Sequence, residues 1–544
     1  MRILSRAFSL LLLGCLIAAP AVADEEHHHP AGDPEKLGNV SFSTSCAPQV
    51  QKQFQRGVAM LHSFWYEAAE QAFIQVAKDD PGCAMAYWGT AMSYFHPIWE
   101  GRGSNPAVLK KGWETVQKAK ALAPKTERER DHVAAIEAFY KDSDKRDHLT
   151  RVLAYESAME RVYTRYPEDR EAAAFYSLAL LGTVAASPPD KTLARQKKAG
   201  EIAEKVFAAE PNHPGAPHYI IHAYDYPELA EKALPAARRY AQIAPDAPHA
   251  LHMPSHIFTR LGLWQESIES NIASAAAAGK LGMPGDGLHA DDYLEYAYLQ
   301  CGDDEKAKRV LDQMPVNKAG LPSYFAGVYA TATMPARYVV ETGRWAEAAK
   351  LEIPSDSPGG KLSWAEATVY FARALGSAHT GDVDAARQAV QKLEFVRDQL
   401  TKLQETYWAG QVEIQRREAA GMLAFAQGNK DEALELLRSA ADMEDASEKH
   451  PVTPGPVVPA RELLGEFLLT INMPTEALTA FESTLQRSPN RFNALYGAAT
   501  AAEAAGQREK AGQYFNALIQ ISDPISSRPE LRAAKSYSQA VAGK

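Results

Sequence analysis

Apolar residues recur along most of the chain at positions i, i+3 and i+4, the spacing of an amphipathic helix. No stretch shows the sustained alternation of apolar and polar residues that is typical of a half-buried strand. The composition is rich in alanine and other residues that favour helices. The pattern therefore predicts an all-α protein.

Small and aromatic residues also recur in a fixed order along the chain. One unit near the N-terminus contains Gly57, Ala69, Phe73 and Pro81, and one near the C-terminus contains Gly465, Ala477, Phe481 and Pro489. Glycine–alanine pairs at similar spacing lie between them, with the glycine suited to ending a helix and the alanine to a close helix contact. This order predicts an α-solenoid of roughly ten to twelve helical hairpins.

With these residues the chain resembles the tetratricopeptide-repeat (TPR) superfamily over most of its length. More narrowly, it resembles a group of secreted bacterial repeat proteins through the runs 83–92, 252–258 and 454–465. The resemblance implies an α-α superhelix in which the first helix of each hairpin lines a concave face. It also implies a possible protein or peptide partner in the concave groove, but it implies no particular activity.

The N-terminal residues predict export. Residues 1–23 combine a basic start, a short apolar run and a small-residue end, which is typical of a signal peptide cut after Ala23. The residues around Cys15 loosely resemble a bacterial lipobox, so lipidation there is an alternative. No later stretch is apolar for long enough to predict a transmembrane helix. We therefore expect a secreted or periplasmic protein.

The rest of the chain divides by composition and repeat frame. Residues 24–45 are acidic and histidine-rich and predict a disordered tail, and the Pro-rich residues 446–460 predict a loop that crosses the surface or folds over the groove. The remaining segments are the main array over 46–445, a C-terminal repeat pair over 461–530 and a tail over 531–544.

Charge and cysteine content narrow the possibilities further. The formal net charge is −10 and no basic tract is present, which argues against nucleic acid as a partner. Cys46, Cys83 and Cys301 follow the signal segment, and this odd number allows at most one internal pair. In the TPR frame Cys46 precedes the first helix of a hairpin and Cys83 follows its second helix, so we predict a disulfide between them. Two separate buried thiols are the alternative.

Two pairs of histidines lie one repeat apart. Each pair has i,i+4 spacing, which puts both rings on one helix face, and the second pair follows the first by 34 residues. In the TPR frame two more histidines occupy the same face of neighbouring first helices. The six candidate ligands are His218, His222, His249, His252, His256 and His289.

Neutral imidazole is the commonest metal ligand in proteins, so the six histidines predict a transition-metal site. In one arrangement the two pairs would form a single four-histidine site. In the other, His249 and His289 would join the pairs to form two three-histidine sites. Ligation by nitrogen alone suits zinc, copper, iron or nickel, and the sequence does not choose among them. Two alternatives are that the rings only pack against one another, and that they recognise an organic ligand.

Polar residues beside the histidines are candidates for secondary roles. Asp225, Asp292 and Tyr296 are predicted to orient the rings or to transfer protons. Further along the groove, Arg337, Glu418, Glu462 and Glu466 are predicted to face either a basic peptide or solvent.

The function that we expect is an extracytoplasmic TPR solenoid whose groove binds a transition metal. No HExxH, GxSxG or P-loop motif is present in the sequence. A non-metal protein-interaction scaffold and a metal-dependent oxidase or hydrolase are the alternatives.

Overall fold

The computed structural model describes residues 36–98, 105–314, 325–353 and 359–542. Over these ranges the chain is all-α, with two short 3-10 turns at Pro48–Val50 and Gly360–Leu362 and no strand. The predicted fold class is therefore confirmed. The predicted signal peptide, the lipobox-like Cys15 and residues 24–35 lie outside the described residues.

The helices follow one another closely along the chain. The first half contains α1 Gln51–His62, α2 Tyr66–Asp79, α3 Ala84–Ser93, α4 Pro106–Ala121, α5 Glu127–Tyr140, α6 His148–Arg165, α7 Arg170–Ala186, α8 Ala194–Ala209, α9 Gly215–Tyr224, α10 Ala230–Ile243, α11 Pro248–His252, α12 Pro254–Leu261 and α13 Trp264–Leu281. The second half contains α14 Pro284–Gln300, α15 Asp304–Asp312, α16 Phe325–Glu341, α17 Trp345–Ala348, α18 Trp364–Thr380, α19 Val383–Lys402, α20 Thr406–Ala426, α21 Lys430–Asp445, α22 Ala460–Thr470, α23 Pro474–Arg487, α24 Phe492–Ala504, α25 Arg508–Ile521 and α26 Pro529–Ala542.

Successive helices pack side by side as hairpins. When α11 and α12 are taken as one broken helix, the described part of the chain forms twelve hairpins and ends with α26. Each first helix also packs against the second helix of the hairpin before it. This nearest-neighbour packing builds a solenoid, because each hairpin buries its apolar faces mainly against the next one.

Small residues allow the helices to pack closely in each unit. A Cβ added to Gly57 would lie 2.8 Å from the ring of Phe73, and one added to Gly89 would lie 2.4 Å from it. A Cβ added to Gly465 would lie 2.9 Å from the ring of Phe481. The recurring glycine and phenylalanine thus form one packing unit, in which an aromatic ring fills the space that a side chain would otherwise occupy.

The first helix of the sixth hairpin is broken near its middle. α11 ends at His252 and α12 begins at Pro254. Proline has no backbone N–H and cannot continue the helical hydrogen bonds. The pair formed by His252 and His256 therefore lies across this break, with one ring on each short helix.

The C-terminal hairpins fold back on to the middle of the solenoid. The indole nitrogen of Trp264 donates to the carbonyl of Asn490 at 2.8 Å, and the Asn490 amide donates to the carbonyl of Gly262 at 3.2 Å. Further along, the backbone N–H of Asp523 donates to the carbonyl of Cys301 at 2.8 Å. These contacts hold the C-terminal hairpins against the turns that join the two helices of the sixth and seventh hairpins.

A buried arginine lies where the C-terminal and central hairpins meet. Arg491 is fully buried, and its guanidinium donates to the carboxylate of Glu462 at 2.7 and 2.9 Å. It also binds Glu341 and donates to the hydroxyl of Tyr296 at 3.2 Å. Four hydrogen bonds from one guanidinium thus join residues of α14, α16 and α22 to the residue that precedes α24.

The N-terminal segment is packed from residue 36 onward. Leu37 and Phe42 are buried, and the Phe42 ring lies 5.1 Å from that of Trp88. The backbone N–H of Asn39 donates to the carbonyl of Asn212 at 2.9 Å. The prediction of disorder was therefore wrong for residues 36–45, because the average composition of 24–45 concealed two apolar side chains that pack into the core.

A disulfide joins Cys46 to Cys83, with their Cα atoms 4.9 Å apart. It connects the segment before α1 to the residue before α3. The closed loop has a sequence separation of 37, and a loop of that length corresponds to about 3–4 kcal/mol of stabilisation. Cys301 is a free, half-buried thiol.

The last segment of the chain is helical. α26 begins at Pro529 and ends at Ala542, so it covers most of the tail predicted over 531–544. None of the helices in the described ranges combines the length and the apolar character needed to cross a lipid bilayer.

The substitution Arg491→Met tests the C-terminal closure, because it leaves Glu341 and Glu462 buried without their cation. We expect the free energy of unfolding, measured by urea denaturation, to fall by about 3–5 kcal/mol. The matched control is Arg438→Met, because Arg438 pairs with Glu476 at the surface, where such a pair contributes about 1 kcal/mol or less. Equal losses in the two variants would show that the buried cluster does not stabilise the closure.

Candidate metal centre

Six buried histidines form one continuous cluster of rings. His218 and His222 lie on α9, His249 and His252 on α11, His256 on α12 and His289 on α14. None of the six side chains is more than 9% exposed. These helices are the first helices of three successive hairpins, and their stacking brings the rings together on the concave side.

The six rings divide into two groups of three. Subsite A contains His218, His222 and His249, and subsite B contains His252, His256 and His289. In each subsite the three potential ligand nitrogens lie within 4.8 Å of one another. Each subsite takes an i,i+4 pair from one hairpin and a third ring from the next. The structure thus has the three-plus-three arrangement, which was one of the two predicted alternatives.

Subsite B contains two imidazole nitrogens that face each other. The Nε2 atoms of His252 and His256 lie 3.0 Å apart. Nδ1 of His252 lies 2.7 Å from Oδ1 of Asn271, and the Asn271 amide nitrogen donates to the Ser267 carbonyl. Oδ1 is therefore the acceptor and Nδ1 the donor. Nδ1 of His256 donates in the same way to the carboxylate of Asp225, at 3.1 Å.

These hydrogen bonds determine where the protons lie. A neutral imidazole carries one N–H, so both Nε2 atoms of the pair present lone pairs to each other. Such a contact is repulsive unless a cation lies between the two nitrogens. Nitrogens about 2.1 Å from one ion and 3.0 Å apart subtend about 90° at that ion, the angle between neighbouring ligands of an octahedral centre. The spacing of the pair would therefore suit a single metal ion.

Subsite A has a similar pairing of rings. Nδ1 of His218 donates to the carbonyl of His62 at 2.6 Å, which leaves its Nε2 unprotonated. That Nε2 lies 3.1 Å from Nε2 of His222. The ring of His249 completes the subsite, with its centroid 5.1 Å from that of His218. Phe64 packs against all three rings and helps to exclude water from them.

Burial keeps the imidazoles neutral. It lowers the pKa of His218 to about 3 and holds the pKa values of His222, His249, His252 and His289 well below the ordinary value. The pKa of His256 is lowered by burial too, although Asp225 opposes this change. Only the unprotonated nitrogen can bind a metal ion, so at neutral pH the rings are in the form that coordination requires.

Asp225 connects subsite B to two cationic side chains. Its carboxylate accepts from Nε of Arg260 at 2.8 Å and from Nζ of Lys449 at 3.0 Å. Burial alone would raise the pKa of this carboxyl, but Lys449 and Arg260 hold it well below its usual range. Arg260 also pairs with Glu448 at 3.1 Å. The four charged side chains beside the rings therefore have no net charge.

A third group of buried residues that could bind a metal consists of His62, Glu171 and His213, and its polar atoms are already paired by hydrogen bonds. The Nε2 atoms of His62 and His213 donate to the two oxygens of Glu171, at 2.8 and 3.2 Å. Nδ1 of His62 accepts from the hydroxyl of Tyr219 at 2.8 Å, and Nδ1 of His213 accepts from the N–H of Ala216 at 3.2 Å. Every ring nitrogen has a hydrogen-bond partner, so we assign this group a supporting role. It positions the His62 carbonyl that orients His218.

The Pro-rich segment between α21 and α22 lies over the histidine-bearing face. The hydroxyl of Tyr293 donates to the carbonyl of Thr453 at 3.0 Å, and that of Tyr329 donates to the carbonyl of Gly455 at 3.2 Å. Lys449, in the same segment, reaches Asp225. Of the two predicted positions for this segment, the structure has the one over the groove.

Two residues predicted to assist the histidines instead bind arginines. Asp292 accepts from Nη1 of Arg337 at 2.7 Å, and the same nitrogen donates to Glu295 at 2.8 Å. The hydroxyl of Tyr296 accepts from Arg491. Both residues occupy the predicted helix face, but each binds a buried arginine: Asp292 binds Arg337 of α16, and Tyr296 binds Arg491, which precedes α24. Asp225 is the predicted residue that contacts a ring.

The predicted groove residues are largely enclosed. Arg337, Glu418 and Glu462 are buried, and Glu466 is half-buried. Burial raises the pKa of Glu466 to about 8, and the neighbouring Glu462 and Glu341 add to the shift. A protein or peptide partner stays a prediction.

Several residues of the site were not identified from the sequence. Asn271 is buried on α13 on a face that also carries Ser267 and Ser274, so no pattern in the sequence singled it out. His62 contributes its backbone carbonyl, which sequence patterns do not reveal. Lys449 comes from a segment 224 residues beyond Asp225, and no local pattern relates the two.

Comparison with solved structures finds alignments over most of this chain, at low identity and with low TM-scores. The TPR domain of P58(IPK) is 14% identical and aligns over 85% of this chain and 99% of its own, with a TM-score of 0.20. The human IFIT1 dimer with m7Gppp-AAAA is 11% identical and aligns over 81% of this chain and 90% of its own, with a TM-score of 0.35. Naa15/Naa10 bound to HypK-THB is 13% identical and aligns over 90% of this chain and 73% of its own, with a TM-score of 0.23. At these values the likeness gives no information about what this chain binds. No protein-family model and no curated protein matches the chain.

Glu466→Gln tests the enclosure of the groove carboxylates. The folded-state pKa of Glu466 is raised to about 8 from 4.5, so the folded state holds a proton that the unfolded state releases as the pH rises between these values. The parent therefore loses stability across this range. Glu466 is only half-buried, so solvent screens much of this difference. We expect the variant to be more stable than the parent by about 1 kcal/mol at pH 8 and by much less at pH 5, measured by urea denaturation.

The control for this measurement is Glu503→Gln on α24, where the side chain is exposed. This substitution should change the stability little at either pH. A pH-independent effect of Glu466→Gln would contradict the burial of its carboxyl group.

Proposed function

We propose that this chain binds transition-metal ions through its six-histidine cluster. The observation that carries the proposal is the 3.0 Å contact between the Nε2 atoms of His252 and His256, each of which has its N–H directed to an acceptor on the other side of the ring. A metal ion between them would replace a repulsive contact with two coordinate bonds. The solenoid thus acts as the scaffold that holds the ligands in position.

The surroundings of the rings support coordination over simple packing. Asn271, Asp225 and the carbonyl of His62 each orient one ring from behind, as acceptors commonly do for metal-bound histidine. The group around Glu171 shows that this protein satisfies other buried histidines entirely by hydrogen bonds. Ligand sets of imidazole alone favour zinc, copper, iron or nickel over magnesium and calcium, which prefer oxygen. Metal-dependent catalysis stays a prediction from the sequence.

We also propose that the protein works outside the cytoplasm. The signal-like residues 1–23 support this localisation. The disulfide between Cys46 and Cys83 supports it too, since such bonds persist mainly in oxidising compartments.

Metal content is the direct test of the proposed function. The protein should be purified without a polyhistidine tag and without residues 27–29, and analysed by mass spectrometry. We expect near-stoichiometric zinc, copper, iron or nickel in the parent and none in a variant with alanine at the four paired positions 218, 222, 252 and 256.

The matched control is His132→Gln, which alters a fully buried histidine that packs against Phe42. It should retain the metal. Circular dichroism establishes that each variant is folded. A parent that stays metal-free after reconstitution with each of these ions would overturn the proposal.

The proposed localisation predicts the N-terminus of the mature protein. N-terminal sequencing after expression in a bacterium with a periplasm should find a chain that begins at Asp24, recovered from the periplasmic or secreted fraction. A chain that keeps Met1 and stays in the cytoplasm would contradict the localisation, and lipidation would instead place the new N-terminus at Cys15.

A further inference from the structure

Subsite B is a copy of subsite A displaced by one repeat. His252 follows His218 by 34 residues and His256 follows His222 by the same number, while the third ring, His289, follows His249 by 40. Each subsite therefore has the same composition, with an i,i+4 pair and one ring from the next hairpin. Two similar ligand sets imply two ions of similar affinity, and not one ion shared by six rings.

The two subsites are in direct contact. The ring centroids of His249 and His252 lie 6.2 Å apart, and those of His222 and His256 lie 6.3 Å apart. Within subsite A the centroids of His222 and His249 are also 6.3 Å apart. The separation across the boundary thus matches the largest separation inside one subsite. Ions bound in A and B would be neighbours within a single cluster of rings.

The charges around the two subsites indicate that two bound metal ions would also require an anion. The six ligands are neutral, and Asp225, Arg260, Glu448 and Lys449 together have no net charge. Two divalent ions would therefore add four uncompensated positive charges in a buried place, which is unfavourable. Three nitrogens also leave at least one coordination position on each ion. A small anion that binds both ions would fill these positions and offset part of the charge.

From these observations we propose that the cluster is a dinuclear metal centre, with one ion in each three-histidine subsite and a small bridging anion, such as hydroxide or azide, between them. This inference rests on the proposed function and goes beyond it in stoichiometry and ligand class.

Titration with Cu²⁺ as the probe, followed by electron paramagnetic resonance, tests the proposal. The protein is the full mature chain without a tag and without residues 27–29, and loosely bound copper is removed with a weak chelator. We expect two copper ions per chain. At two equivalents the signal per copper should be weaker and broader than at low loading, because the two unpaired electrons interact. Azide should change this interaction further.

Two half-site variants provide the comparison. The double substitution His218→Ala and His222→Ala removes subsite A, and His252→Ala and His256→Ala removes subsite B. Each variant should bind one copper ion with the signal of an isolated centre, and azide should produce no coupling. If a variant does not fold, as judged by circular dichroism, the parent titration with and without azide is decisive by itself.

The outcomes separate this inference from the proposed function. One copper ion per folded parent chain, lost in both variants, would overturn the dinuclear centre and leave metal binding intact. Two ions whose spectrum equals the sum of the two half-site spectra would also overturn it, because the ions would then be independent. A parent that binds no copper, zinc, iron or nickel would overturn both proposals.

Discussion

The guanidinium of Arg491 is fully buried, so each of its hydrogen bonds has to be made within the protein. Its partners, Glu462, Glu341 and Tyr296, come from the C-terminal hairpins and from the middle of the solenoid. This requirement joins parts of the chain that lie 150 to 195 residues apart in sequence. A stack of hairpins that contact only their neighbours would leave its concave face in water. The closure at Arg491 holds the C-terminal hairpins against the central ones, while Phe64 and the Pro-rich segment cover the histidines.

Enclosure affects two kinds of buried histidine differently. Around Glu171, each ring nitrogen has a donor or an acceptor, and the group is complete as a hydrogen-bond network. In the paired histidines, acceptors at Asn271, Asp225 and His62 lie behind three of the four rings, and the Nε2 atoms of each pair face one another. Buried polar atoms need partners. Around Glu171 hydrogen bonds supply them, and at the paired histidines metal ions would supply them under the proposed function.

The sequence predicted what depends on local periodicity. The all-α fold, the number of hairpins and the helix face that carries the six histidines follow from spacings of 4 and 34 residues. Contacts between distant segments could not be predicted in this way. Asp292 has the correct position on its helix, but Arg337 from α16 binds it. Phe42 and Leu37 pack into the core although their segment is polar on average. Lys449 reaches Asp225 only because the Pro-rich segment crosses the concave face.

The Pro-rich segment between α21 and α22 also affects how fast an ion could enter or leave. It lies over the histidine-bearing face and is held there by Tyr293, Tyr329 and Asp225. An ion behind this segment would exchange with solvent no faster than the segment detaches. Under the proposed function, loading would therefore precede the last step of folding or wait for a local opening. The identity of the bound metal would then depend on which ion is present when the chain folds, and not only on equilibrium affinity.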